Sequence, residues 1–286
     1  MKDIPLLIAL DMDGSLCTTD KRITPYTAAV LERAAAAGAL IVPATGRFYK
    51  GLPAELRDEP FLRYCITING AHVYDAALDR TVSAAELPLA RALDAMEYLD
   101  SQDVIYDCYQ GDWGWITRRF WEIAPEYVPD RHYLKMLRVL REPVDELKAH
   151  LRKTGRNVQK ILIYTHTDAI QDELLKTLPV RFPDMVVTSS ARHNIELNAP
   201  AANKGAALRA LAEALEIPRE RVMAVGDGLN DRTMLEAAGL AVAMGNAHPA
   251  IKAIADYVTD DCDHDGAAKA IERFCLAQGR GGVTKP

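Results

Sequence analysis

The five cysteines of this chain include no Cys-x-x-Cys pair: Cys17, Cys65, Cys108, Cys262 and Cys275 are widely spaced and odd in number. Zinc ribbons and disulfide frameworks both need close or paired thiols, so neither is expected, and reduced thiols fit a cytoplasmic protein. No apolar run reaches the length of about 18 residues that a membrane span requires. The N-terminus lacks the basic stretch, apolar core and small-residue cleavage site of a secretory leader, so no signal peptide is expected. Positive charge is not in excess either. Against 34 Lys and Arg stand 40 Asp and Glu, a net charge of −6 that argues against a dedicated nucleic-acid binder. The seven histidines show no metal-binding spacing, and His193, His248 and His264 read as surface or locally bonded residues. There is no internal repeat.

What remains is a chain of 286 residues, 49% hydrophobic and 26% charged, able to bury a sizeable core in one or two domains. Apolar runs at 4–10, 40–44, 63–68, 222–225, 240–243 and 257–259 read as strands. Thr24-Pro25 should open a helix ending near Gly38, and further helices fit 204–215, 231–238 and 266–276, before a disordered tail at 279–286. Asn69-Gly70 marks a turn. This alternation predicts an α/β fold, a doubly wound, Rossmann-like parallel sheet covered on both faces.

Between residues 84 and 190 the pattern changes. Aromatic residues gather, 104–117 alternates like a hairpin around Gly111-Asp112, 158–164 reads as a strand, and helices fit 89–99, 144–153 and 168–178. We expect an α+β domain here, inserted into a core made of 1–83 and 191–286. Its aromatics read first as packing residues, with Trp113 and Trp115 the pair suited to stacking on a sugar. From 118 to 160 it carries eleven Lys and Arg against six Asp and Glu, which suits attraction of anions or solvated helix faces equally.

The first apolar run opens into Asp11-Met12-Asp13-Gly14-Ser15. In extended backbone, residues two apart point the same way at about 6–7 Å, so Asp11 and Asp13 would face one site and repel without a cation or proton between them. Three further polar clusters follow apolar strands or open a helix: Thr45-Gly46-Arg47, Asn203-Lys204-Gly205 and Gly226-Asp227-Gly228-Leu229-Asn230-Asp231. Ligands of open α/β sheets bind beyond the carboxyl ends of the strands, so most of these clusters should converge on Asp11. The oxygen-rich set Asp11, Asp13, Asp227 and Asp231 suits Mg²⁺, while Lys204, the Thr45 hydroxyl and backbone N–H groups suit phosphate oxygens. Cys17 reads as a packing thiol, and Arg47 and Asn69 as residues of the site's rim.

These four motifs in this order, followed by Ala243-Met244-Gly245-Asn246-Ala247, Ala255-Asp256-Tyr257-Val258-Thr259 and Asp265-Gly266, resemble the haloacid dehalogenase superfamily. The match is to its Cof-like subfamily IIB phosphatases, which carry a C2-type cap. The resemblance implies a Mg²⁺-dependent phosphatase acting on a small phosphorylated metabolite, sugar phosphates first. Asp11 would be the nucleophile that forms an aspartyl-phosphate, and Asp13 the acid and then the base. Asp11, the Asp13 backbone carbonyl and Asp227 would hold Mg²⁺, with Asp231 a ligand or a support behind the ligands. Thr45, Gly46, Lys204 and Asn230 would bind the phosphoryl group, and the inserted cap would control access and specificity. Ser15 stands where the family usually has Thr and keeps the hydroxyl. Two alternatives stay open: a phosphomutase, which would isomerise a sugar phosphate without releasing phosphate, and a non-catalytic phospholigand-binding regulatory protein, which would not need both Asp11 and Asp13. No nucleic-acid or membrane partner is implied, and the oligomeric state is left open.

Overall fold

A computed structural model of the chain describes residues 7–276 apart from 112, 129, 190 and 191. Positions 4–6 of the first apolar run, Asp112 of the hairpin and the tail at 279–286 lie outside the described residues. The strands, in chain order, begin with β1 (Leu7–Asp11), β2 (Leu40–Ala44), β3 (Tyr64–Thr67), β4 (His72–Asp75) and β5 (Arg80–Ala84). Next come β6 (Val104–Tyr109), β7 (Gly114–Thr117), β8 (Arg141–Val144), β9 (Lys160–Thr165), β10 (Val186–Thr188) and β11 (Asn194–Asn198). The last are β12 (Val222–Gly226), β13 (Leu240–Ala243) and β14 (Tyr257–Val258). They make two sheets in two compact units, the chain passing from the first to the second at 84/85 and back at 202/203.

The sheet of the first unit has the order β14-β13-β12-β1-β2-β3-β4-β5. β1 lies between β12 and β2, parallel to both, with Leu10 beside Val225 and Asp11 beside Ala44. Leu7, Ile8 and Leu10 are fully buried, each worth about 1.5–3 kcal/mol relative to exposure, which fixes β1 as the centre of the core. From β1 the chain builds β2 and β3 to one side, and later β12, β13 and β14 to the other. The order therefore reverses at β1 and β12, whose carboxyl ends flank the crevice where such sheets bind ligands. Helix Pro25–Ala36 starts at Thr24, whose side chain accepts the Thr27 N–H, and helix Lys204–Ala214 starts at Asn203, which accepts the Ala206 N–H. The sheet is not parallel throughout. Ile68, Asn69 and Gly70 all have positive φ (53°, 55° and 97°) and reverse the chain too tightly for a parallel crossover, so β4 runs antiparallel to β3, and the next turn sets β5 antiparallel to β4 at the edge.

The second unit has its own sheet, β10-β11-β9-β6-β7-β8, antiparallel except for the parallel β7–β8 pair. The β6–β7 hairpin pairs Asp107 with Ile116. Helices Leu89–Leu99, Leu147–Thr154 and Asp168–Arg181 occupy the expected stretches, the middle one starting late because Val144 belongs to β8. Two more, Arg118–Tyr127 and Arg131–Leu140, are strongly amphipathic and fill a stretch to which the sequence analysis assigns no helix. The unit ends later than residue 190, because β11 pairs with β9 and so belongs to this sheet. Three cations of its basic stretch are matched from elsewhere in the unit. Arg141 meets Asp107, Lys160 meets Glu196, and Lys148 meets Glu97 and Asp100, all acids outside 118–160. Trp115 is likewise engaged in packing, its indole N–H donating to the Gln110 carbonyl and its ring lying 4.3 Å from that of His150. No described helix is long and apolar enough to cross a membrane.

Candidate active site

The register sets Asp11, Ala44 and Gly226 side by side at the carboxyl ends of adjacent strands, so that Asp11, Thr45 and Asp227 begin the loops of one edge. Lys204, the first residue of its helix, is completely buried there. Its Nζ donates to Asp11 Oδ1 at 2.5 Å and to Asp231 Oδ1 at 2.6 Å. The other oxygen of Asp231 accepts the Asp227 and Gly228 N–H groups, both at 2.9 Å. Asp227 Oδ1 accepts the Ser15 hydroxyl at 3.1 Å, and its Oδ2 accepts the Asn246 amide at 3.3 Å. Gly14, at φ +94°, permits this arrangement, since a Cβ there would lie 2.5 Å from Asp227 Oδ2. One oxygen from each of Asp11, Asp227 and Asp231 lies within 4.8 Å of the others.

Three carboxylates thus share one ammonium. Burial pushes the Asp11 carboxyl up to about 7; Lys204 pulls it back, while Asp231 and Asp227 push it further. Asp227 is raised too, by burial first and then by Asp231. Burial opposes the charge on Lys204, but Asp11 and Asp231 outweigh it and hold the ammonium above its usual range. Surplus negative charge on clustered hard oxygens, with no thiolate or imidazole among them, fits Mg²⁺. Within the cluster Asp231 already accepts from Lys204 and two backbone donors.

Asp13 does not join these carboxylates, because the strand geometry that would align it with Asp11 ends at Asp11. Its half-buried side chain is gripped by Arg47 (Nη2–Oδ1 2.7 Å, Nε–Oδ2 3.1 Å) and by Lys21 (3.0 Å). Burial would raise its pKa, but Arg47 and Lys21 outweigh that and hold the carboxyl below its usual range. Thr45 is buried and caps no helix; its hydroxyl accepts the Arg47 N–H at 3.2 Å and braces the turn. Gly46 packs against the Asn69 carboxamide. Asn230 is exposed, with its carboxamide folded back over Gly228, and among the described residues no hydrogen bond joins it to Lys204, Thr45 or the carboxylates. Cys17 is buried, and burial, then Asp13, pushes its thiol up to about 11, as a packing residue requires. His248 caps Ala250, while His193 and His264 pair with Asp168 and Asp261.

Residues 8–271 match the haloacid dehalogenase-like hydrolases. The chain belongs to that family. Phosphatase YwpJ of Bacillus subtilis (strain 168) is 30% identical to this hydrolase over 295 residues, covering 94% of this chain and 99% of its own. The 5-amino-6-(5-phospho-D-ribitylamino)uracil phosphatase YcsE of the same strain is 31% identical over 275 residues, covering 94% and 96%. A haloacid dehalogenase-like hydrolase from Bacteroides thetaiotaomicron superposes with a TM-score of 0.81 at 28% identity, covering 94% of this chain and 99% of that one. The present hydrolase is a phosphatase. Two residues at its carboxylate cluster have no role in the sequence reading. Asn246 stood there only as part of a C-terminal pattern, and Ser15 only as a departure from Thr; it is the retained hydroxyl that reaches Asp227.

Proposed function

We propose that this phosphatase hydrolyses a small phosphorylated metabolite, a sugar phosphate first, through a phosphoenzyme at Asp11. The observation that carries the reading is the buried Asp11 carboxylate, held by Lys204 at the carboxyl end of the central strand, beside Asp227. An Asp11 oxygen would attack phosphorus, the bond from phosphorus to the ester oxygen would break, and Asp13 would give that oxygen a proton. Water would then attack the phosphorus of the aspartyl-phosphate while Asp13 takes the water's proton, and inorganic phosphate would leave. Asp13 starts ionised in the grip of Arg47 and Lys21, so it must take a proton from solvent before the acid step, which a dianionic phosphate would allow by drawing those cations away. Thr45, Gly46 and Lys204 would position the phosphoryl group; exposed Asn230 would reach it only by turning from Gly228.

Asp11 and Asp227 would hold Mg²⁺, together with the Asp13 carbonyl, and Asp231 would stand behind them. When bound, the ion supplies positive charge that keeps Asp11 ionised and offsets the charge of the transferring group. YcsE, named for a phosphorylated ribitylamino compound, supports a small polyol phosphate as the substrate type. We assign the second unit, inserted between the motifs, as the substrate-selecting cap. Five unpaired thiols and a net charge of −6 support a cytoplasmic enzyme with no nucleic-acid or membrane partner.

Phosphate release from a panel of phosphorylated metabolites, with Mg²⁺ or EDTA, tests the reading in the wild type and in Asp11→Asn. Release that needs Mg²⁺ and is lost in the variant is expected. Release that survives Asp11→Asn would overturn the nucleophile assignment, and isomerisation without released phosphate would point to a mutase.

A further inference from the structure

The loop after β13 carries a side chain that the proposed chemistry leaves unused. Asn246 Nδ2 donates to the Gly14 carbonyl at 2.8 Å and to Asp227 Oδ2 at 3.3 Å, while its Oδ1 accepts the Cys262 N–H at 3.0 Å. A carbonyl and a carboxylate both demand a donor, and an N–H demands an acceptor, so the carboxamide fits in one orientation only. The loop that carries it is braced on both sides. The Met244 N–H donates to the Gly226 carbonyl (3.1 Å), the His248 N–H to the Asp227 carbonyl (2.9 Å), and the Gly245 N–H to the Asp260 carbonyl (3.0 Å). With Ser15 on Oδ1 and Asn246 on Oδ2, each Asp227 oxygen meets one neutral donor. Neutral donors aim a carboxylate without cancelling its charge, as a lysine in the same place would.

We propose that Asn246 is a positioning residue, which ties the Asp227 carboxylate to the Gly14 carbonyl and so aims Asp227 at a divalent cation beside Asp11. This rests on the Mg²⁺ reading above. The partners that orient ligating carboxylates typically carry about 10–100-fold of metal affinity.

The test uses the full chain and Mn²⁺ binding by calorimetry, with thermal melting as the control of fold. Asn246→Ala and the similarly sized Asn246→Leu remove the donor; Asn246→Gln keeps it on a longer arm. Affinity for Mn²⁺ should fall by about 10–100-fold in the Ala and Leu variants and recover in part in the Gln variant. Phosphate release should fall at limiting Mg²⁺ and return towards wild type at saturation, a split that general loosening of the loop would not give. Folded Ala or Leu variants that bind Mn²⁺ like the wild type would overturn the proposal, whatever happens to their melting temperature. Should the Ala variant fail to fold, the Leu and Gln pair still decides. A wild type that binds no divalent cation would instead overturn the metal reading, and this proposal with it.

Discussion

Asp11 is the residue whose environment is hardest to hold. Burial pushes its carboxyl up to about 7, against about 4 in an unfolded chain. Below the unfolded value both states hold the proton and Asp11 contributes nothing. As pH rises from about 4 to about 7 the unfolded chain releases its proton first, so stability falls, and above that the loss is constant. In EDTA, Asp11→Asn should therefore melt higher relative to wild type at about pH 8 than at about pH 5. Added Mg²⁺ should raise wild-type melting more at the higher pH, because ligation needs the ionised carboxylate. A difference between the two proteins that does not change with pH would show that Asp11 does not ionise in this range. Much of this site was legible beforehand, because Asp11, Asp227 and Lys204 sit at strand ends and a helix start that local pattern marks. The pairing of Arg47 with Asp13 was not, since it spans 34 positions and depends on two side-chain rotamers.

At the scale of elements, the placement of Lys204 depends on a close contact behind it. A Cβ on Gly205 would lie 2.0 Å from the Thr233 carbonyl oxygen, so helix Lys204–Ala214 and the start of helix Arg232–Ala237 meet backbone to backbone. Backbone cannot swing aside as a side chain can. Gly205→Ala should cost about 1–3 kcal/mol of stability by overpacking. It should also slow phosphate release, because the adjacent Lys204 is displaced from Asp11. Urea midpoints and turnover measured together check this, and a variant that keeps both would mean that the helices part without consequence. Strands β1, β2, β12 and β13 were readable because burial on both faces leaves unbroken apolar runs. β5 was not, since Arg80–Ala84 is mostly exposed edge and has no such run. β8 was hidden in a charged stretch whose Arg141 is buried by pairing rather than by apolarity.

For the whole molecule, the two units have separate apolar cores, one around β1 and β12 and the other around β6 and β9. The inserted unit was legible as a change of pattern, but its end was not, because β11 looks like any buried strand and only pairing with β9 assigns it. That unit also buries charge. Arg141 reaches Asp107 Oδ2 at 2.8 Å and the Tyr109 hydroxyl at 2.9 Å, and the Tyr164 hydroxyl donates to the same Asp107 oxygen at 2.7 Å. Burial raises the Asp107 pKa, and Arg141 and Tyr164 hold it back. Arg141→Met would leave that carboxylate without its cation, a change that costs about 3–5 kcal/mol in buried pairs. Because the cores are separate, the loss should be local. Amide exchange should accelerate in β6 and β9 while β1 and β12 stay protected, and Mn²⁺ binding at the Asp11 cluster should be unchanged. If protection falls equally in all four strands, the units unfold as one cooperative body, and a substitution in the inserted domain then reaches the carboxylate site through global stability.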